Sequence, residues 1–181
     1  MPRDRVPWHG RQMPNTHRPR KVFEQGHRRK ILVVADESKE VEPALFYAAC
    51  RAQHTGAGIV LLYIIEPDNQ FWGGVRQVQI EEEKAKAKAV FRLLRLKLSK
   101  EGLDGVHTEE VIREGKKVEQ ILKVIEEDED VAILALGAAV DHKGPGPLVS
   151  SLAAGTNAGH FPIPITIVPG DLTLADIKAM A

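Results

Sequence analysis

The stretch Lys30-Ile31-Leu32-Val33-Val34-Ala35-Asp36-Glu37-Ser38 decides how this chain is read. Ile31–Ala35 is a continuous apolar run rather than an alternating one, so it reads as a strand buried on both faces. It ends on carboxylates, and Ser38 stands where a helix N-cap would be. Val41, Ala44, Leu45, Ala48 and Ala49 then share one helical stripe, which Gly56 stops. A doubly buried strand feeding straight into an amphipathic helix is the opening unit of an α/β fold.

The rest of the chain repeats that unit. Ile59–Ile65 is a second buried strand, closed by Glu66-Pro67. A loop with Phe71-Trp72-Gly73-Gly74 leads to a long helix from about Val78 to Lys100. Ala87, Val90, Leu94 and Leu98 line one side of it, the other side is charged, and Gly102 ends it. Val106–Arg113 alternates as an edge strand would, and Gly115 turns into a third helix lined by Val118, Ile121, Leu122 and Ile125. Val131–Leu136 is the most apolar run. A Gly/Pro-rich loop from Gly137 to Pro147 precedes a short helix around Leu148–Ala158, and Ile163–Val168 is the fifth strand. Thr173-x-x-Asp176 has the spacing of a capping box for a last short helix. Such alternation predicts a mainly parallel sheet with right-handed crossovers and helices on both faces. Ligands of these sheets sit beyond the carboxyl ends of the strands, where the strand order reverses. Asp36, Ile64–Glu66, Glu114-Gly115 and the loop from Gly137 are therefore the places to look.

Composition narrows the class further. Residues 1 to 30 hold nine Lys/Arg against Asp4 and Glu24, and the remainder holds sixteen against twenty-three acids, so a basic segment precedes an acidic domain. With four prolines and no periodicity, residues 1–28 read as a disordered basic tail: a partner-binding arm, or a solvated extension. Aromatic residues are not interleaved with its basic ones beyond Trp8, so nucleic acid is not the partner expected. Cys50 is the only cysteine and lies beside the apolar stripe of the first helix, which suits a buried structural thiol in a reducing compartment. No apolar run approaches the roughly 20 residues of a membrane span, and the start of the chain lacks a signal-peptide core. The expectation is a soluble, cytoplasmic protein with no membrane partner.

Several chemistries are excluded by motif. There is no P-loop, no G-x-G-x-x-G after the first strand, no G-x-S-x-G elbow and no HExxH or His-rich metal site. Asp36-Glu37 is placed like the acidic pair of response-regulator receivers. The other receiver positions fail, because strand three ends in Arg113-Glu114 and strand five in Val168-Pro169.

Residues 30–38, together with Leu61–Pro67, Glu114-Gly115 followed by Ile121-Leu122, Asp130–Gly137 and Phe161–Val168, resemble the strands and turns of the universal stress protein family. The resemblance covers about residues 30–170 and implies a five-stranded parallel sheet of order 3-2-1-4-5. The implied division is a tail over 1–28, a domain over 29–170 and a C-terminal short helix over 171–181. In the family's nucleotide-binding branch, strand four leads into Gly-x2-Gly-x9-Gly-[Ser/Thr], whose glycines let backbone N–H groups reach phosphates at a helix start. From Gly137 the second glycine position is Val140 and the final pair is Ser150-Ser151, so one glycine of three is present. A rival register through Gly155-Thr156 fits the spacing less well.

By resemblance, a nucleotide site would draw on Ala35, Asp36, Ile64, Gly137, Val140, Lys143, Gly144, Gly146, Ser150 and Ser151, with ATP and Mg²⁺ as the ligand. Asp36 would face the ribose or a metal-bound phosphate, and the backbone near Ile64 the adenine edge. Asp36 is equally readable as a solvated carboxylate at a helix start. The Lys143–Pro147 loop is read as a phosphate cradle or as a Pro-stiffened connector, and Phe71–Gly74 as a lid or a packing element. No catalytic or metal-ligating residue is assigned. The implied function is a cytoplasmic stress-response module that binds an adenine nucleotide and dimerises through its fifth strand. The alternative is an interaction module without nucleotide, working through its dimer surface and basic tail. Slow ATP hydrolysis ranks last, for want of a general base.

Overall fold

The apolar runs place five parallel strands side by side: β1 (Lys30–Val34), β2 (Gly58–Ile65), β3 (Thr108–Glu114), β4 (Val131–Ala138) and β5 (Ile165–Pro169). Their order is β3-β2-β1-β4-β5, with β3 and β5 at the edges. Five helices connect or follow them: α1 (Val41–Thr55), α2 (Gly74–Lys100), α3 (Lys117–Glu127), α4 (Pro147–Ala153) and α5 (Leu174–Met180). The computed structural model describes residues 19–67, 74–141, 144–153 and 161–181. No helix among them is long and apolar enough to cross a membrane.

Why the β1 sequence is apolar throughout is visible in the two core layers. Ile31, Val33 and Ala35 pack with α1, α2 and α5 on one side of the sheet. Leu32 and Val34 pack with α3 and α4 on the other. The strand's two-residue alternation thus feeds two cores at once, as a central parallel strand requires. β2 does the same with Ile59, Leu61, Tyr63 and Ile65 against Val60, Leu62 and Ile64. Edge strand β3 is only partly covered, and it carries Glu109, Glu110 and Arg113 beside Val111 and Ile112 rather than a strict alternation.

Local signals hold with some corrections. Gly56 and Gly102 end α1 and α2 with positive φ values of 70° and 72°, a backbone state that costs glycine little. The capping box on α5 is present in both directions between Thr173 and Asp176. The Thr173 hydroxyl, with its backbone N–H, lowers the Asp176 carboxyl below its ordinary pKa. Ser38 is not the N-cap of α1. Asp36 Oδ1 accepts from the Ser38 N–H at 2.8 Å, so Asp36-Glu37-Ser38 closes an Asx turn, and the helix starts three residues later after Glu40 without a side-chain cap. α2 begins at Gly74, earlier than its apolar stripe suggests. The predicted run of α4 to Ala158 extends beyond the described residues, which take it to Ala153. Cys50 is buried, and burial pushes its thiol up.

Most of the segment read as a basic tail lies outside the described residues, but its last part is described and meets the domain. Arg20 Nη1 donates to the carbonyls of Ile125, Asp128 and Val131, closing the C-terminal end of α3. Lys21 pairs with Glu129 at 2.9 Å and His27 meets Asp130 at 2.6 Å. Phe23 stays in solvent.

Candidate functional site

Strand order reverses between β1 and β4, because α1 and α2 cover one face while α3 and α4 cover the other. A cleft opens there at the carboxyl ends of the strands. Val34, Asp36, Ser38 and Glu40 form one wall, Leu136 and Gly137 the floor, and Pro145–Val149 the opposite wall, with Lys117 at the rim. Its volume is about 80 Å³. Small-molecule pockets ordinarily measure roughly 300–1,000 Å³, so the described walls enclose room for one phosphate-sized group.

Each wall follows from a local rule. Asp36 is fixed by the Asx turn and lines the cleft. Gly144 and Gly146 hold φ values of 108° and 94°, a region closed to most side chains. They fold the Gly-Pro-Gly-Pro segment back so that the Ala139 N–H donates to the Pro145 carbonyl at 3.1 Å. α4 then starts on Pro147, which has no N–H, and the Ser150 N–H is already used by the Gly146 carbonyl at 3.0 Å. The helix start therefore offers the Leu148 and Val149 N–H groups and few others.

Of the residues singled out from the sequence, Asp36, Gly137 and Gly146 line the cleft together. Ala35 lies below it, its N–H donated to the Leu62 carbonyl at 2.8 Å. Ile64 is buried in the α3/α4 core. Val140 points outward, its Cγ2 lying over Gly170, so it does not block the cleft floor. Gly144 stands in open space, Ser150 is exposed, and the Ser151 hydroxyl donates to the Leu148 carbonyl at 3.1 Å, within its own helix. Lys143 and the Phe71–Gly73 part of the loop before α2 lie outside the described residues. Gly137 has a second role: a methyl group there would stand 1.9 Å from the Glu40 carbonyl oxygen, so glycine lets the start of α1 lie on β4.

Sequence reasoning missed Lys117. It opens α3, its N–H donates to Glu66 Oε1 at 3.2 Å, and its ammonium lies 3.9 Å from Glu66 Oε2. Its side chain also borders the cleft, so the cleft has a cation at its edge. The signal was available as Lys116-Lys117 directly after the strand-ending Glu114-Gly115.

Chemically, the site offers one carboxylate wall, one ammonium at the rim and a short row of backbone donors. It suits a single anionic group with a hydroxyl-bearing neighbour better than a metal-bound triphosphate. Among the described residues no group of three His, Cys, Asp or Glu side chains converges as a metal site.

A family model described as the universal stress protein family matches residues 27–169. The chain belongs to the universal stress protein family. Among solved structures, universal stress protein UspA from Lactobacillus plantarum superposes with a TM-score of 0.63 at 19% identity, covering 77% of this chain and 97% of that one. A universal stress protein family member from Arabidopsis thaliana with AMP bound gives 0.53 at 14%, covering 78% and 91%. The Archaeoglobus fulgidus universal stress protein in complex with dAMP gives 0.52 at 17%, covering 78% and 98%. At these identities the likeness is one of fold. No curated protein sequence matches the chain. The sheet order expected of a universal stress protein is the one observed.

Proposed function

We propose that this universal stress protein is a cytoplasmic stress-response module that binds an adenine nucleotide in the β1/β4 cleft through a single phosphate. The observation that carries this reading is the cleft at the strand-order reversal, with Asp36 on one wall and Lys117 at its rim. The solved relatives bound to AMP and dAMP support a monophosphate ligand. Asp36 takes the ribose hydroxyls, and Lys117 and the Leu148 and Val149 N–H groups take the phosphate. ATP with Mg²⁺ gains nothing further, because Pro145 and Pro147 withhold two backbone donors from the β- and γ-phosphates.

Calorimetry on the full chain tests this. AMP is expected to bind with a Kd on the order of 100 µM, and Mg²⁺-ATP no more tightly. Asp36→Ala and Lys117→Ala are each expected to weaken AMP about tenfold, the worth of one charge-assisted contact. Binding that survives both substitutions would place the nucleotide elsewhere. ATP binding much tighter than AMP would restore the triphosphate cradle.

A second reading has its own observation. The described walls enclose little volume, and Gly137 is taken up by the α1 contact. A protein with no nucleotide at all, acting through its surfaces and basic tail, fits those facts. Absence of heat and of thermal stabilisation at millimolar AMP and ATP selects it.

Either reading includes a homodimer through β5. That strand is an edge, Ile167 is 42% exposed on it, and proteins usually cover such edges. Replacing Ile167 with lysine is expected to shift the sedimenting species from dimer to monomer at micromolar concentration. A wild-type chain that sediments as a monomer would end this proposal.

A further inference from the structure

Helix α2 is apolar on two opposite sides. Ile80, Ala87, Val90, Phe91, Leu94 and Leu98 face the core. On the solvent side, read from the sequence as charged, Val75, Val78, Leu93 and Leu96 each stand more than half exposed. Ala85 and Ala89 are exposed between them. The outer residues keep a seven-residue repeat. Val75, Glu82, Ala89 and Leu96 occupy one position, and Val78, Ala85, Arg92 and Ser99 occupy the position three residues later. This is the spacing of a coiled-coil seam, yet within the described residues nothing covers it. The helix has 27 residues, a length of about 40 Å. It stands as a ridge between a groove of about 540 Å³ shared with α1 and one of about 460 Å³ shared with β3.

We infer that a second copy of the chain docks on this ridge, α2 against α2, antiparallel, with the two-fold axis level with Ala87. The charges choose both the partner and the direction. In that register Glu82 meets Arg92 of the other copy, twice by symmetry, and neither residue makes an ion pair among the described residues. Leu96 meets Val78, and Ala85 meets Ala89, so the smallest side chains lie at the centre where two helices approach most closely. A parallel pairing would set Glu82 on Glu82 and Arg92 on Arg92, which like-charge repulsion disfavours. Lys86, beside the axis, is tied back to Glu37 at 2.8 Å. Leu93 flanks the seam over the α1 groove. An isologous contact needs a self-complementary surface, and this pattern reads the same from either end. The ridge lies on α2, whereas the β5 edge is at the far side of the sheet from β3, so the two contacts are separate surfaces.

The test uses the full-length Ile167→Lys chain, in which β5 pairing is suppressed, and follows association by sedimentation equilibrium. That chain is expected to dimerise reversibly at roughly 10–100 µM, the weak end of specific pairing. Glu82→Arg and Arg92→Glu, each introduced alone, turn both cross-pairs repulsive and are expected to raise the Kd at least about tenfold. Mixed in equal amounts, the two variants present all-Arg against all-Glu seams and are expected to form a heterodimer at least as tight as the parent. That recovery also shows that both variants are folded. A parent chain that stays monomeric at several hundred micromolar, single variants that associate like the parent, or a mixture that fails to pair would each overturn the antiparallel seam. The first of these outcomes would leave the ridge for a different protein partner.

Discussion

Gly137→Ala is expected to lose roughly 3 kcal/mol of stability, as overpacking by one methyl at a backbone–backbone contact does. For a chain of this size that lowers the melting temperature by about 6–12 °C. The added Cβ would lie 1.9 Å from the Glu40 carbonyl oxygen and 2.5 Å from its carbonyl carbon. Those are backbone atoms at the start of α1, so relief requires the whole helix to lift from β4. Moving α1 disturbs Leu45, Ala48 and Ala49, all without solvent exposure in the core beneath it. Gly137→Val is expected to prevent cooperative folding altogether. Gly144→Ala is the control: its φ is +108° but nothing lies within 4 Å, so only backbone strain of about 1 kcal/mol is at stake. Thermal or urea unfolding of the two alanine variants decides the point, and a Gly144→Ala cost equal to or above that of Gly137→Ala would contradict it. One consequence concerns ligand binding. Loss of nucleotide affinity in a residue-137 variant reports on α1 packing, so Asp36 and Lys117 are the informative positions.

Ile177→Asp is expected to cost about 4 kcal/mol, the range of an unpaired charge placed in a core. Ile177 is fully buried in the cluster formed by α1, α2 and one face of the sheet. α5 packs on α1. The helix is held by its capping box, by the Lys178–Glu101 pair at 3.5 Å, and by His54 against the Ala181 carbonyl at 3.1 Å. Exposed pairs of this kind contribute little, so the apolar contact carries the docking. A carboxylate at position 177 escapes burial only if α5 swings away and uncovers α1. Urea unfolding gives the cost, and limited proteolysis shows whether α5 has come loose. A loss below about 1 kcal/mol, the level of ordinary surface substitutions, would mean that α5 is an appendage. Helix α5 lies beyond the segment matched by the family model, so the family pattern alone gives no hint of this contribution.

Much of the architecture was legible in the residues. Five apolar runs with turn signals between them specify five strands, and unbroken runs such as Leu61–Ile65 can be stable only when both faces are covered. Gly56, Gly102 and the Thr173–Asp176 pair marked helix ends correctly because capping depends on neighbours a few residues away. The same local chemistry misplaced the start of α1. Asp36 and Ser38 both have side chains suited to capping, and only the folded loop shows that Asp36 takes the Ser38 N–H and delays the helix.

The cleft was legible in position and its lining only in part. Strand order alone locates the cleft at the ends of β1 and β4, and Asp36 and Gly137 were found that way. Lys117 was not, since its place in the cleft lined by Asp36 depends on how β3 delivers α3 to the opposite face of the sheet, about 80 positions further along the chain. Nor does a single glycine announce whether it faces a phosphate or a helix; Gly137 meets the Glu40 backbone because α1 crosses β4 there. Burial of α2 shows the same division. Periodicity found the inward stripe of Ala87, Val90, Leu94 and Leu98, but the outer face, read as charged, proves to carry apolar residues too. The sheet takes the stripe of Phe91 and Leu94 and leaves Val78 and Leu96 in water. Side-chain pattern fixes what each element is, because propensity, capping and alternation act over a few residues. Which groups meet across the molecule is decided by packing, because only the closed fold brings distant residues within contact range.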